Sequence, residues 1–238
     1  MKRRIYFIVI GLVSLALFAC TTSYDKAYQF EFTFEKDEEG WFTGFADLPA
    51  DYSEESYQLD AGWGALPSGL DGNAIYLQGH NRSDDLFMFL AKQIDGLKPN
   101  TNYQVIFSID LASNTPAGMV GIGGSPGESV YVKAGAVNYQ PEVNEGDDGN
   151  LYINVDKGFQ SNGGKEMITL GTIANPNIDL ENYTGVEYAI MTLDNQDNAF
   201  SVTSDSQGTV WVIVGTDSGF EGLTRIYYDQ VSVSFTEE

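Results

Sequence analysis

Along residues 28–35 the chain alternates without a break. Tyr28, Phe30, Phe32 and Phe34 are interleaved with Gln29, Glu31, Thr33 and Glu35, which places four aromatic rings on one face of a strand. The same period of two returns in the segment 226–235, where Val231, Val233 and Phe235 alternate with Gln230, Ser232 and Ser234. Between these ends lie further runs rich in β-branched and aromatic residues, at 74–78, 86–90, 103–109, 130–132, 151–155, 187–193 and 210–214. Turn chemistry separates them: Asp71-Gly72, Asp95-Gly96, Pro99-Asn100, Asp148-Gly149, Asn162-Gly163-Gly164 and Gln207-Gly208. No stretch after residue 20 sustains a helical i, i+3, i+4 apolar pattern for three turns. With 26 glycines and many short strands, the pattern predicts an all-β chain, an antiparallel β-sandwich or jelly roll.

The first twenty residues depart from this pattern. Lys2, Arg3 and Arg4 precede an apolar stretch from Ile5 to Phe18, which has the length of a signal-peptide core and is short for a membrane-spanning helix. It ends in Leu17-Phe18-Ala19-Cys20, which resembles the lipobox of bacterial lipoproteins, although Phe18 is bulkier than that family's usual residue there. The resemblance implies cleavage before Cys20 and lipid on its thiol, hence a protein anchored in the bacterial cell envelope. Cys20 is the one cysteine in the sequence, so no intrachain disulfide staples the fold. The expected organisation is a signal peptide over 1–19, a lipidated Cys and polar tether over 20–27, and one β-sandwich domain over 28–238.

Removing residues 1–19 leaves nine basic residues against 34 acidic, a net charge of −25. Such a charge speaks against nucleic acid and against docking on anionic lipid through the protein surface, both of which need Lys/Arg patches. It suits solubility, divalent cations or uncharged ligands.

Three phrases add a second resemblance. Phe34-Glu35 with Gly40-Trp41, the segment from Gly96 to Phe107, and Ile226-Tyr227-Tyr228-Asp229-Gln230-Val231-Ser232-Val233 together resemble the galactose-binding-like jelly rolls, a superfamily that includes many carbohydrate-binding modules. That resemblance implies a structural calcium site joining the first and last strands, with Glu35 and Asp229 as its hard oxygen ligands. Solvated carboxylates are the competing reading for the acidic loop 35–39.

A sugar-binding face needs rings that stay exposed with polar groups beside them. Trp63, flanked by Gly62 and Gly64 as in a loop, leads the candidates, with Asp60 and Asn73 nearby in sequence. Trp41 fits core or platform equally, Tyr139 is a further loop candidate, and Trp211 belongs to an apolar run and is assigned to the core. Catalysis finds less support. Gly123-Gly124-Ser125-Pro126-Gly127 matches the nucleophile-elbow pattern, but Pro126 has no N–H for an oxyanion hole, and the single histidine, His80, precedes the serine. Asp194 and Asp197 stand close together, as carboxylates do in ordinary turns. The expected function is therefore a non-catalytic, lipid-anchored binding module, carbohydrate-binding or adhesive. The alternatives are an envelope assembly component with protein partners and a glycan-active hydrolase.

Overall fold

A computed structural model describes residues 26–238. Cys20, the signal peptide and most of the tether lie outside the described residues. In chain order the strands are β1 (Ala27–Phe32), β2 (Phe42–Ala46), β3 (Leu48–Pro49), β4 (Asp60–Ala65), β5 (Asn73–His80), β6 (Leu86–Ile94), β7 (Asn102–Ser113) and β8 (Val130–Val137). They continue with β9 (Val143–Glu145), β10 (Asn150–Ile153), β11 (Met167–Thr172), β12 (Ala189–Asp194), β13 (Ser201–Thr203), β14 (Val210–Ser218) and β15 (Leu223–Glu237). One helical turn, α1 (Glu54–Tyr57), and a 3-10 turn at Leu180–Asn182 are the helical pieces among the described residues.

Every strand pairing is antiparallel, and the chain is an all-β sandwich. One sheet of seven strands runs β12-β7-β15-β5-β4, with β1 and β13 added at β15 and β7; the opposing sheet runs β11-β8-β14-β6-β2. Alternation explains the core. Tyr103, Val105, Phe107, Ile109 and Leu111 of β7 point inward, as do Ile75 and Leu77 of β5. They meet Leu86, Met88 and Leu90 of β6 and Val210, Val212 and Val214 of β14. Three rings of β1 and Phe34 just beyond its end join this core: Tyr28 packs on Tyr103, Phe30 on Phe235, and Phe32 and Phe34 on Trp41, all edge to face with centroids 5.4–6.1 Å apart.

β6 and β14 are buried on both faces, as their unbroken apolar runs require. The outward residues Phe87, Phe89 and Ile213 lie under the segment 138–166, whose strands β9 and β10 form a short sheet with β3 and which contributes Ile153 and, beyond β10, Val155 to a second apolar cluster. The turn signals also materialise: Gly72, Gly96, Asn100, Gly149 and Gly208 all have φ between +50° and +105°, which the Asp-Gly, Pro-Asn and Gln-Gly pairs supply at little cost.

β15 is the central strand of its sheet and has different neighbours along its two edges. Along one side it pairs with β7 over nearly its whole length. Along the other it pairs with β5 over 223–228 and with β1 over 231–236, leaving Asp229 in the gap between them. The register against β7 slips between Tyr228 and Gln230, a β-bulge. Inward positions change parity there, from Ile226 and Tyr228 to Val231, Val233 and Phe235, so both halves of one long strand keep their apolar side in the core.

Candidate functional site

The outward face of the seven-stranded sheet is built in rows set by register. At one end Asp60, Gln78 and Arg225 lie side by side on β4, β5 and β15; the next row is Gly62, Tyr76, Tyr227 and Ala112. Tyr76 and Tyr227 have centroids 5.9 Å apart, and Tyr188 meets Tyr227 edge to face at 5.3 Å. The guanidinium of Arg225 sits 4.2 Å from the Tyr76 centroid and 5.3 Å from that of Tyr227, and it donates to the Gln78 side chain at 3.2 Å. The Tyr76 hydroxyl donates to Asp60 at 3.4 Å. Burial first, then the Tyr227 hydroxyl, pushes the Tyr188 phenol up to about 12. Gly62 and Gly64 leave the outward side of β4 bare, and a Cβ at Gly62 would come within 3.0 Å of the Tyr76 hydroxyl, so glycine keeps the flank of that ring open.

Past the bulge the same face turns to small hydroxyls. Glu31, Ser232 and Ser108 form one row and Gln29, Ser234 and Ile106 the next; together they line a groove of about 370 Å³. Between the tyrosines and this groove lie Gln230 and Asp110, whose carboxylate accepts from Thr192. The half-buried Asp229 carboxyl is held above its ordinary range by burial, then by Asp110 and Glu35. Among the described residues no ion pair joins Asp229, Asp110 or Glu35 to a Lys or Arg, and their oxygens do not come together within 4.8 Å as a group.

A second group of ionisable residues lies under the 138–166 cover on the opposing sheet. Lys133 and Asp217, both fully buried, pair at 2.8 Å; Lys157 lies 2.9 Å from Asp217, 2.9 Å from Asp47 and 3.9 Å from Asp85. Lys133 also donates to the carbonyls of Lys157 and Asn162. Burial, then a hydrogen bond to Asp217, pushes Asp85 up to about 8. Burial likewise raises Asp47 and lowers Lys133, while hydrogen bonds and the two ammoniums hold Asp217 below its ordinary value. Oxygens of Asp47, Asp85 and Asp217 all lie within 4.8 Å of one another. The set resembles a metal cage, but the two lysine ammoniums already supply its positive charge, and a divalent cation would sit against them.

No family model matches the chain, and no curated protein matches it in sequence. Several solved structures to which it is similar are carbohydrate-binding modules with a β-sandwich fold. One, TmCBM27, a module described by its specific mannan recognition, is 13% identical, with a TM-score of 0.42 over 88% of this chain and 98% of that one. CBM28, a module specific for non-crystalline cellulose, is 13% identical, with a TM-score of 0.36 over 83% of this chain and 88% of that one. The enzymatically active domain of tailspike protein 4 from bacteriophage CBA120 is 12% identical, with a TM-score of 0.37; the likeness covers 84% of this chain and 20% of that one. At these values the likeness is one of sandwich layout, and the sugars named belong to those modules.

The residues singled out in the sequence fall in different places. Trp63 is not in a loop: it lies in β4, shares its face with the core residue Ile75, and its indole N–H donates to the Phe34 carbonyl at 2.6 Å. The glycines around it, taken for loop flexibility, are strand positions facing outward. Trp41 is core, packed against Phe32 and Phe34. Trp211 is half-buried on the outward side of its sheet, packed against the second apolar cluster and 6.0 Å from the Phe42 ring. The Asn73 side chain donates to the Glu35 carbonyl, so Asn73 and Trp63 both hold the segment carrying Glu35. Tyr139 is exposed in the bend after β8, as a loop residue, and its hydroxyl donates to Glu166 at 2.8 Å, with the Asn154 carbonyl 3.1 Å away. Of the predicted ligand residues, Asp60 alone stands on the tyrosine face. Tyr76, Tyr227, Tyr188 and Arg225 stand there outside the predicted set; the signal for the β15 pair is the period of two in 223–228, which puts Arg225 and Tyr227 on one side and Ile226 and Tyr228 on the other. Ser125 and His80 are each engaged locally, Ser125 with Glu128 and His80 with Arg82.

Proposed function

We propose that this protein is a non-catalytic glycan-binding module, displayed from a membrane by lipid on Cys20, which takes an uncharged sugar chain along the outward face of β15. The row of Tyr76 and Tyr227 beside the bare flank of Gly62 carries this reading. A pyranose packs its C–H face on such rings, while the Arg225, Gln78 and Asp60 row and the serine-floored groove offer hydrogen bonds to its hydroxyls. Net acidity at the surface fits an uncharged ligand better than an anionic one.

Calcium belongs to the same proposal. Asp229 lies in the gap between β1 and β5 beside β15, its carboxyl raised by burial and then by Asp110 and Glu35, and among the described residues no Lys or Arg forms an ion pair with any of the three. Bound calcium would tie the ends of these strands together and stiffen the platform. A glycan array and a calcium titration on the full chain test the reading. Array signals that vanish in Tyr227→Ala and persist in Trp63→Phe support it, as does a calcium-dependent rise in melting temperature that is absent in Asp229→Asn. A silent array, or signals indifferent to Tyr227, would leave assembly with a protein partner as the function. Incorporation of an alkyne fatty acid, lost in Cys20→Ser, checks the anchor.

A further inference from the structure

Of the asparagines in the sequence, Asn162 alone is followed by glycine, in Ser161-Asn162-Gly163-Gly164. Asparagine is a thermolabile residue, because the backbone nitrogen of the next residue can attack its side-chain carbonyl carbon, and a following glycine has no side chain to block the approach. Elsewhere in this fold the carboxamides are engaged. Asn81, Asn175 and Asn195 are buried and donate to backbone carbonyls, and Asn73 and Asn154 do the same nearer the surface. Asn162 and Gly163 are both exposed, and among the described residues neither the Asn162 carboxamide nor the Gly163 N–H makes a hydrogen bond.

The fold holds this labile pair in place. Asn162 closes a tight turn with Phe159 through two backbone hydrogen bonds of 3.0 and 3.1 Å. A Cβ on residue 163 would lie 3.0 Å from the Met167 carbonyl oxygen and 3.2 Å from the Ile168 Cα, so the close approach to β11 leaves little room for a side chain that would shield the nitrogen. On the inner side, the Asn162 carbonyl accepts from Lys133 Nζ at 3.0 Å and is one of two carbonyls that cap this fully buried ammonium.

We propose that Asn162 is a site of spontaneous deamidation through Gly163, and that its isoaspartyl form unseats the cap on Lys133 and loosens the 138–166 cover. Water is the one co-reactant. The Gly163 nitrogen bonds to Asn162 Cγ, the side-chain nitrogen leaves as ammonia with the proton that the Gly163 nitrogen gives up, and a cyclic imide remains. Water then breaks one of the two C–N bonds of the imide. Breaking the new bond at Cγ restores the backbone and leaves an aspartate in place of an exposed amide, with the cap on Lys133 intact. Breaking the original peptide bond leaves isoaspartate, in which the chain runs through Cγ and the former backbone carbonyl becomes a free carboxylate. That chain is longer by one backbone atom, in a turn where Gly158 and Gly164 already meet backbone atoms closely, so the oxygen that Lys133 uses is displaced.

The test is ageing of the full chain in warm, mildly alkaline buffer, followed by peptide mapping by mass spectrometry and by methyl labelling with an isoaspartyl methyltransferase. The peptide containing residue 162 exchanges its amide NH2 for OH and takes up label before any other asparagine-containing peptide. In step with the label, the melting temperature falls towards a limit about 2–4 °C lower, the shift that loss of one hydrogen bond gives in a domain of this size. Asn162→Gln, whose longer side chain closes the ring far more slowly, keeps its melting temperature through the same ageing. Fresh Asn162→Asp, which stands for the other product, melts within about 1 °C of the unsubstituted chain. Hydrolysis at Asn162 no sooner than at other asparagines, isoaspartate at 162 without a fall in melting temperature, or an equal fall in aged Asn162→Gln would each overturn the proposal.

Discussion

The indole N–H of Trp63 lies 2.6 Å from the Phe34 carbonyl, while the ring faces the same side of β4 as Ile75 pairs from β5. Phe34 itself has φ +56°, a conformation costly for a bulky residue, so the bond from Trp63 holds a segment that would not keep its shape unaided. Trp63→Phe should therefore cost about 1 kcal/mol of stability, the net worth of one hydrogen bond, while leaving glycan capture intact. Urea unfolding of the two proteins, alongside the array, checks both halves. A Trp between two glycines carries two messages in sequence. The glycines permit a loop, yet they equally permit a strand with one face left bare, and only the pairing with β5 decides between them. Tyr227 was obscured for the opposite reason: it stands in a run, Ile226-Tyr227-Tyr228, where each residue reads as core until the strand's parity is known.

At the scale of elements, the bulge at Asp229 is what lets one strand serve two neighbours. Removing Asp229 would put Val231, Val233 and Phe235 on the outward face or displace Ile226 and Tyr228 from the core. Two or more large side chains would leave the core, at about 2–5 kcal/mol each, more than a domain of ordinary stability of about 5–15 kcal/mol tolerates comfortably. The deletion variant should therefore lack a cooperative melting transition by circular dichroism, whereas Asp229→Asn should fold and melt normally without calcium. The second half of β15 was legible as alternation in sequence, and the cores of β1, β5, β6, β7, β8, β10, β12 and β14 were legible as apolar, β-rich runs. What escaped were β2, β4, β11 and the short strands β3, β9 and β13, where two to six residues offer too little periodicity to separate from loop. In β4, glycines replace the outward side chains that would have shown the alternation.

For the molecule as a whole, the ionic group beneath the 138–166 cover governs how stability depends on pH. Burial and Asp217 raise the Asp85 carboxyl to about 8, far above the unfolded value near 3.8. A raised acid binds its proton more tightly in the folded state, so its contribution is complete below the unfolded pKa and is lost as the pH climbs through about 8. Melting temperatures should fall between about pH 5 and pH 9, and Asp85→Asn should flatten that fall and exceed the unsubstituted chain at the alkaline end. The group was half visible beforehand. Lys133 sits inside the apolar run 130–137 and Asp217 just beyond 210–214, each a lone charge in a strand, but they pair with each other across β8 and β14, and Asp217 also with Lys157, more than twenty residues away in sequence. Strand order has a further consequence, one of timing. The middle strand of one sheet is β14 and that of the other is β15, the last two strands of the described residues. Neither sheet can close around its centre until residues 210–237 have been made, so the emerging chain has no finished core before then. The domain's interior is sealed by its last two strands rather than its first.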